Sequence, residues 1–194
     1  AGTAITTGDE NTAVGYQALD ATTTASYNTA MGSSALTDNT TGTKNTALGR
    51  SAMSGNVSAD ENVAIGYYAL VGNTTGANNV AVGAHALDAN TTASYNTAVG
   101  HGSLGANTTG TGNTASGYQA LLVSTTANYN TAMGGLSLNA NTTGAENTAV
   151  GYQALDANTT ASYNTAMGSS ALTDNTTGTK NTALGRSAMS GNVS

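Results

Sequence analysis

Residues 11–19 read NTAVGYQAL, and versions of this stretch return along the chain at a constant spacing of 17 residues. When each copy is counted from its first Asn as position 1, Ala stands at position 3, Gly at position 5 and Leu or Met at position 9 in every copy. A short, fixed period of this kind is typical of β-helices and β-rolls. It predicts a one-dimensional array of eleven coils, which start at Asn11, Asn28, Asn45, Asn62, Asn79, Asn96, Asn113, Asn130, Asn147, Asn164 and Asn181.

The composition excludes several classes of protein. Charged residues are 7% of the 194 residues, compared with roughly 25% in an average globular domain. The net charge of −6 with only four basic residues excludes a basic surface for nucleic acid or an anionic membrane. Cys is absent, so neither disulfides nor thiolate metal sites are expected. The sequence shows no apolar run long enough to span a bilayer and no signal peptide.

The domain organisation follows from the repeat. We expect one β-solenoid array over residues 1–194, in which residues 1–10 are the end of a preceding coil and residues 11–194 are the eleven coils. Residues 147–194 repeat residues 11–58 with a single difference, Thr22 against Asn158. This long duplication predicts that the chain is a segment of a longer repeat protein. Position 15 alternates between Ala and Gly, which indicates a structural unit of two coils.

Within a coil, positions 2–4 and 7–10 are predicted to be short strands, and the Gly at position 5 is predicted to bend the chain between them. Positions 11–16 carry Asn-Thr-Thr turn chemistry with a third short strand. The Gly and Asn content and the missing 3.6-residue period exclude helices. The predicted fold class is all-β, a parallel β-solenoid (β-roll) of eleven 17-residue coils stacked at about 4.8 Å.

The repeated rows of side chains leave two packing arrangements open. A column of Asn at position 1 is expected to pass amide hydrogen bonds from coil to coil. Positions 3 and 4 should face opposite sides of a strand, and so should positions 8 and 9. In one arrangement the Ala13 and Ala18 rows fill a thin interior, and the Val14 and Leu19 rows form an outward apolar stripe that association of three rods would cover. In the other, Val and Leu lie inside and Ala outside.

The units at Ala13-Val14-Gly15, Ala64-Ile65-Gly66 and Ala81-Val82-Gly83 resemble the Ala-(Val/Ile)-Gly repeats of trimeric autotransporter adhesin heads, the YadA-like family. They are also similar to repeats of phage tail fibres and other surface fibres. The resemblance runs from Asn11 to the end of the chain, although the 17-residue period is longer than the adhesin-head unit. It implies a left-handed parallel β-roll, assembly into trimers and an adhesive role.

A second repeated motif is the N-glycosylation sequon N-x-[ST], which occurs only at position 12. If position 12 lies on an outward loop, each Asn is a candidate glycan acceptor. The alternative is that Asn-Thr-Thr is only turn chemistry, with Thr and Ser at positions 13 and 14 as O-glycan acceptors. The candidate glycosylation sites are Asn39, Asn56, Asn73, Asn90, Asn107, Asn141, Asn158, Asn175 and Asn192.

The remaining reactive side chains do not indicate a catalytic or metal site. His85 and His101 occupy different positions of adjacent coils and are interpreted as surface residues. The acids at positions 10 and 11 lack the spacing of calcium-binding β-rolls. They are Asp20, Asp38, Asp88, Asp156 and Asp174. We therefore expect no enzyme activity, no cofactor and no bound metal.

The functional interpretation is an extracellular structural or adhesive fibre, located at the cell surface, outside the cell or on a virion. The expected partners are further copies of the chain, as a homotrimer or an end-to-end filament, together with covalent glycans and a cell-surface or host receptor. Two alternatives stay open. One is the receptor-binding shaft of a phage tail fibre, and the other is an ice-binding β-solenoid that uses the Thr columns at positions 2, 13 and 14.

Overall fold

The computed structural model describes residues 1–193, which form a parallel β-solenoid. Each coil contributes one three-residue strand at positions 2–4, and the eleven strands of the described residues form a single sheet in chain order. The predicted all-β solenoid is therefore confirmed. The strands are β1 Thr12–Val14, β2 Thr29–Met31, β3 Thr46–Leu48, β4 Val63–Ile65, β5 Val80–Val82, β6 Thr97–Val99, β7 Thr114–Ser116, β8 Thr131–Met133, β9 Thr148–Val150, β10 Thr165–Met167 and β11 Thr182–Leu184.

The strands pair without any stagger, so identical positions lie above one another. In the first pair Thr12 lies opposite Thr29 and Ala13 opposite Ala30, and the same register holds through β11. Such a register stacks like side chains into continuous rows along the rod axis. At about 4.8 Å per coil, eleven coils make a rod roughly 50 Å long.

The predicted second and third strands are wrong. Positions 6–11 form turns in which positions 7 and 9 are left-handed, and positions 12–17 form bends and irregular backbone. Gln17 at position 7 and Leu19 at position 9 have φ of 53° and 52°, and the same two positions of the other coils of residues 1–193 also have positive φ. Residues in this region cannot continue a pleated strand. Only the Thr-Ala-apolar segment keeps β geometry.

The interior is narrow and filled mainly by small side chains. Ala at positions 3 and 8 and Leu or Met at position 9 are fully buried through the central coils, as Ala81, Ala86 and Leu87 illustrate. The side chain at position 4 faces outward. The alternation of positions 3 and 4 is thus confirmed, whereas positions 8 and 9 both face inward because position 9 is left-handed and not extended.

The Gly at position 5 is required where the strand turns. Gly83 has φ of 130°, and a Cβ there would lie 2.7 Å from both the carbonyl carbon and the carbonyl oxygen of Gly100 in the next coil. Both the backbone conformation and the close approach of the coils exclude a side chain.

Within residues 1–193 the structure contains no helix that could span a membrane.

Candidate functional site

The main candidate interaction surface is the outer side of the sheet, here called the exposed sheet face and made of the side chains at positions 2 and 4 of strands β1–β11. Position 2 is Thr in nine coils and Val in two, and position 4 is apolar in every coil except at Ser116. The position 4 side chains remain partly or largely exposed. Val14 is 52% exposed and Met133 is 47% exposed. An apolar row of this length on an isolated chain marks an interaction surface.

Two amide ladders connect the coils inside the rod. In the position 1 ladder, each Asn Oδ1 accepts the backbone N–H of the next Asn at 2.9–3.0 Å, from Asn11 to Asn181. From Asn11 to Asn164, Nδ2 donates to the carbonyl of position 15 in the same coil, as in the 2.9 Å bond from Asn28 to Gly42. The expected Asn column is therefore confirmed. It is buried and fixes the register of the strands beside it.

The second ladder is formed by the sequon residues at position 12. Asn56 Nδ2 donates to Asn39 Oδ1 at 2.7 Å and to the Ala59 carbonyl at 3.2 Å. Asn90 Nδ2 donates in the same way to Asn73 Oδ1 at 2.9 Å. These amide nitrogens, which a glycosyltransferase would have to modify, are engaged in hydrogen bonds inside the rod.

The prediction that position 12 lies outward is consequently wrong. A glycan on an inward Nδ2 would replace ladder hydrogen bonds and would not fit the narrow interior. Asn192, in the last coil, is partly buried and donates to Asn175 Oδ1 at 3.2 Å. The other eight candidate sites are fully buried: Asn39, Asn56, Asn73, Asn90, Asn107, Asn141, Asn158 and Asn175.

The position 12 ladder is broken at coil 7, where Ser124 replaces Asn. Asn107 Oδ1 and Ser124 Oγ are both buried and have no hydrogen-bond partner. The Ser side chain is too short to donate to the Asn107 amide oxygen as an Asn would. At the other departure, Thr22 Oγ1 donates to the Asn39 carbonyl at 2.9 Å, so that side chain is satisfied.

The Thr residues at positions 13 and 14 behave differently from each other. Position 13 hydroxyls donate to the carbonyl of position 13 in the next coil, as in the 3.0 Å bond from Thr74 to Thr91. The side chains at position 14, such as Thr75 and Thr92, are exposed. Position 14 is therefore the row of this loop with hydroxyls open to solvent, and O-linked modification there stays a prediction.

The alternation at position 15 reflects contacts between paired coils. A Cβ on Gly76 would run into the Ala93 carbonyl oxygen of the next coil, which is why Ala does not follow Ala there. The coils with Ala at position 15 also carry a hydrogen-bonding side chain at position 16, which the sequence analysis did not identify. Ser94 Oγ accepts the Ala77 backbone N–H at 3.0 Å, and Ser162 Oγ accepts the Ala145 backbone N–H at 3.0 Å. The sequence signal for this bond is the Ser, Asp or Asn that stands at position 16 of every second coil.

His85 and His101 lie at the surface, as expected, and their rings contact each other although they occupy different positions of adjacent coils. Their ring centroids are 6.0 Å apart, and His101 stacks on Tyr118 at 5.8 Å. His85 also stacks on Tyr68 at 5.7 Å, and its Nδ1 lies 3.0 Å from Asp88 Oδ2. These aromatic rings pack against one another in a column along the rod axis. Residues 1–193 contain no group of three or more His, Asp or Glu side chains placed so that it could hold a metal ion.

The pKa values of Lys44 and Asp156 are shifted from their ordinary values. The hydrogen bond to Glu61, 2.9 Å from Lys44 Nζ, raises the pKa of that lysine above its ordinary value. Burial raises the pKa of Asp156, and a hydrogen bond from Gln153 opposes the shift. Asp38 and Asp174 are exposed, whereas Asp20, Asp88 and Asp156 are partly buried. Residues 1–193 enclose no pocket.

Comparisons of the chain with protein-family models, with curated proteins and with solved structures gave no match. The similarity to adhesin-head and tail-fibre repeats therefore rests on the repeated Ala-apolar-Gly motif alone.

Proposed function

We propose that this chain is part of an extracellular structural or adhesive fibre whose copies associate side by side through the exposed sheet face. The observation that carries the proposal is the apolar row at position 4, which runs outward along the whole sheet. Burying such a row against another copy removes apolar area from water, at about 25 cal/mol per Å². Because the row is continuous, many weak contacts act together over the length of the rod.

The architecture supports a mechanical role. Each coil contacts only its neighbours, and the same cross-section is repeated at every level. Rods of this kind gain length by adding coils without changing the fold. The two buried Asn ladders connect neighbouring coils by side-chain hydrogen bonds in addition to those of the backbone, which suits a fibre under load.

The resemblance to YadA-like heads supports a trimer and a location outside the cell or at its surface. It also supports adhesion to a receptor on a host or another cell. A tail-fibre shaft has the same fold requirements, and detection of the chain in purified virions would assign it to that class. Recovery of the chain from the outer surface of intact cells by protease shaving would assign it to a cellular fibre.

The test of the proposal is the molar mass in solution. Light scattering and analytical ultracentrifugation of the wild-type chain should show an oligomer, and electron microscopy should show rods. The double substitution Ile65→Asp and Val99→Asp puts two charges on the exposed sheet face and should dissociate the oligomer, leaving the circular dichroism spectrum unchanged. Thr75→Asp and Thr92→Asp on the opposite loop is the matched control. A wild-type chain that is monomeric at millimolar concentration would refute the proposal.

A second candidate function, ice binding, is favoured by one observation. The structure places Thr at position 2 on the same outward face as position 4, in register in neighbouring coils. The outward groups thus form a lattice of about 4.8 Å by about 6.7 Å, the spacings between strands and between alternate residues. Val63 and Val80 interrupt the Thr column. A thermal-hysteresis assay on the dissociated protein, in which this face is free, tests it, and an absence of activity removes it.

A further inference from the structure

The two histidines of the chain lie side by side on the surface of the rod. His85 stands at position 7 of coil 5 and His101 at position 6 of coil 6, and their ring centroids are 6.0 Å apart. His85 is partly exposed and His101 is exposed. A neutral imidazole has a nitrogen lone pair in the plane of its ring, and this lone pair binds transition-metal ions. Two neighbouring imidazoles can therefore act as one chelating unit.

Aromatic neighbours restrict the two rings by contacts with their faces. Tyr68 stacks on His85 with an interplanar angle of 14°, and Tyr118 stacks on His101 with an angle of 23°. Tyr67 adds an edge-to-face contact with His85 at 5.4 Å. Metal coordination uses the ring edge, where the nitrogens lie, so stacking on the faces orders the rings and leaves the in-plane lone pairs available.

Asp88 provides the carboxylate that often accompanies a metal-binding histidine. Its Oδ2 lies 3.0 Å from His85 Nδ1. When the ring is neutral, a hydrogen bond donated by Nδ1 to this carboxylate leaves the lone pair on Nε2 free. Such a bond orients a ligating ring and makes its other nitrogen more basic. His85 is therefore held in the tautomer that presents Nε2 to a metal ion.

The separation of the rings suits the binding of one ion by both. Histidine nitrogens bind Zn²⁺ at about 2.0–2.1 Å, so two imidazoles on one ion have ring centroids about 5–6 Å apart. The observed 6.0 Å needs only small rotations of surface side chains. The net charge of −6 and the nearby Asp88 favour a cation. Imidazole ligands select Zn²⁺, Ni²⁺ and Cu²⁺, whereas Ca²⁺ and Mg²⁺ prefer oxygen ligands.

We propose that His85 and His101 form a surface site for one divalent transition-metal ion of this class. His85 Nε2 and a ring nitrogen of His101 are its ligands, water completes the coordination shell, and Asp88 is a positioning residue. With two protein ligands, the site is smaller than the groups of three or more that residues 1–193 lack. The ion links coil 5 to coil 6 within one chain, so the site does not depend on association between copies.

Titration calorimetry with Ni²⁺ at neutral pH tests the site, because the chain has no other His and no Cys. The wild-type chain should bind one ion. Other coils supply the variants: His85→Gln introduces the residue of Gln119 at position 7, and His101→Tyr that of Tyr118 at position 6. Each variant should weaken binding about a hundredfold, the order of gain expected when two binding groups are linked.

A second pair of variants tests the role of Asp88. Asp88→Asn, the residue of Asn139 at the same position, should weaken Ni²⁺ binding about tenfold, as loss of an outer carboxylate does. Asp156→Asn is the matched control, since it removes the same charge at position 10 of coil 9, where position 7 is Gln153. It should leave Ni²⁺ binding unchanged.

Two further measurements do not depend on calorimetry. Zn²⁺ should shift the nuclear magnetic resonance signals of both imidazole rings. Saturating Ni²⁺ should raise the melting temperature of the wild-type chain, because the ion binds the folded state, and should not raise that of either histidine variant. Without metal, circular dichroism melting of the histidine variants should match that of the wild type, because other coils carry the same residues at these positions.

The outcomes decide between the site and its alternatives. No binding at millimolar Ni²⁺ overturns the site. Wild-type affinity in either histidine variant overturns shared ligation, and half an ion per chain overturns a site within one chain. Equal weakening by Asp88→Asn and Asp156→Asn overturns the positioning role of Asp88, because charge alone would then explain the effect.

Discussion

Individual Asn side chains explain how so small an interior holds together. A primary amide carries both a donor and an acceptor, so stacked Asn residues can repeat the hydrogen bonding of the backbone. Asn28 and Asn45 do so at position 1, and Asn39 and Asn56 at position 12. Buried polar groups usually have hydrogen-bond partners, so a single replacement in a ladder leaves a neighbouring group unpaired. Asn107 Oδ1 is such a group.

Repair of the broken ladder should stabilise the rod. Ser124→Asn restores a donor to Asn107 Oδ1, and the expected gain is about 1 kcal/mol, or about 2–4 °C in melting temperature. Thr22→Asn is the matched control, because the Thr22 hydroxyl is already bonded to the Asn39 carbonyl and the gain should be smaller. Calorimetry measures both. A Ser124→Asn variant no more stable than wild type would show that the ladder contributes little.

Asp156 should make stability depend on pH. Its pKa is raised in the folded chain by burial, so the folded state binds more protons than the unfolded state between the two pKa values. Stability therefore falls as pH rises through that window, which begins near the ordinary Asp pKa of about 3.9. Asp156→Asn should melt at a higher temperature than wild type at pH 7, and the difference should shrink at pH 3. A difference that grows on acidification would contradict the assignment.

The coil is the element of this fold, and left-handed residues shape it as much as its strand does. Only three of its 17 residues are extended. The turns need positive φ at positions 5, 7, 9 and 17, and Gly fills position 5 in every coil. Position 7 tolerates side chains because it faces solvent in part, whereas position 5 lies against the next coil.

Gly83→Ala should be strongly destabilising. The added Cβ meets the Gly100 carbonyl group at 2.7 Å and the backbone has φ of 130°, so the loss should be about 2 kcal/mol or more. Gly102→Ala is the control at position 7. There φ is 65° and the nearest side-chain atom lies 3.5 Å away, and other coils place Gln or Ser at this position. Urea unfolding that shows equal losses would contradict this account of the turn.

Leu87 tests the interior row of the coil. Leu87→Asp puts an unpaired charge into a fully buried row and should reduce stability by several kcal/mol. Gln119→Asp lies at the partly exposed position 7, where Asp tolerates the left-handed backbone, and should have little effect. The comparison is made by thermal unfolding, and equal melting temperatures would show that position 9 is not an interior position.

The molecule as a whole is built in steps of two coils. The backbone N–H of position 16 in one coil is bonded by the side chain of position 16 in the next, and Gly and Ala alternate at position 15 to avoid a clash. Both contacts relate a coil with Gly at position 15 to the coil that follows it. An Ala-type coil placed before another Ala-type coil would bring the Ala Cβ against the carbonyl oxygen of the next position 15.

Deletions should reveal this two-coil unit. Removal of residues 62–95 takes out two coils and sets an Ala-type coil, with Ala59, before a Gly-type coil, with Gly110, as in the wild-type order. Removal of residues 62–78 sets Ala59 before Ala93. The shorter deletion should therefore melt at a lower temperature than the longer one, although it retains more coils. If melting temperature simply follows the number of coils, the two-coil unit is not a structural unit of the rod.

The sequence repeat by itself predicts much of this architecture. The 17-residue period, the Ala at position 3 and the Gly at position 5 are enough to predict a parallel stack in which identical positions align. Whether the position 4 row faces outward or inward was left open by the sequence, and the structure places it outward. The direction of the remaining side chains depends on contacts between coils. Leu and Gln have no local preference for positive φ, yet Leu121 and Gln119 adopt it because carbonyl groups of the neighbouring coils accept their backbone N–H groups. The same stacking turns the sequon Asn inward, since the Asn at the same position of the neighbouring coil provides an amide partner there.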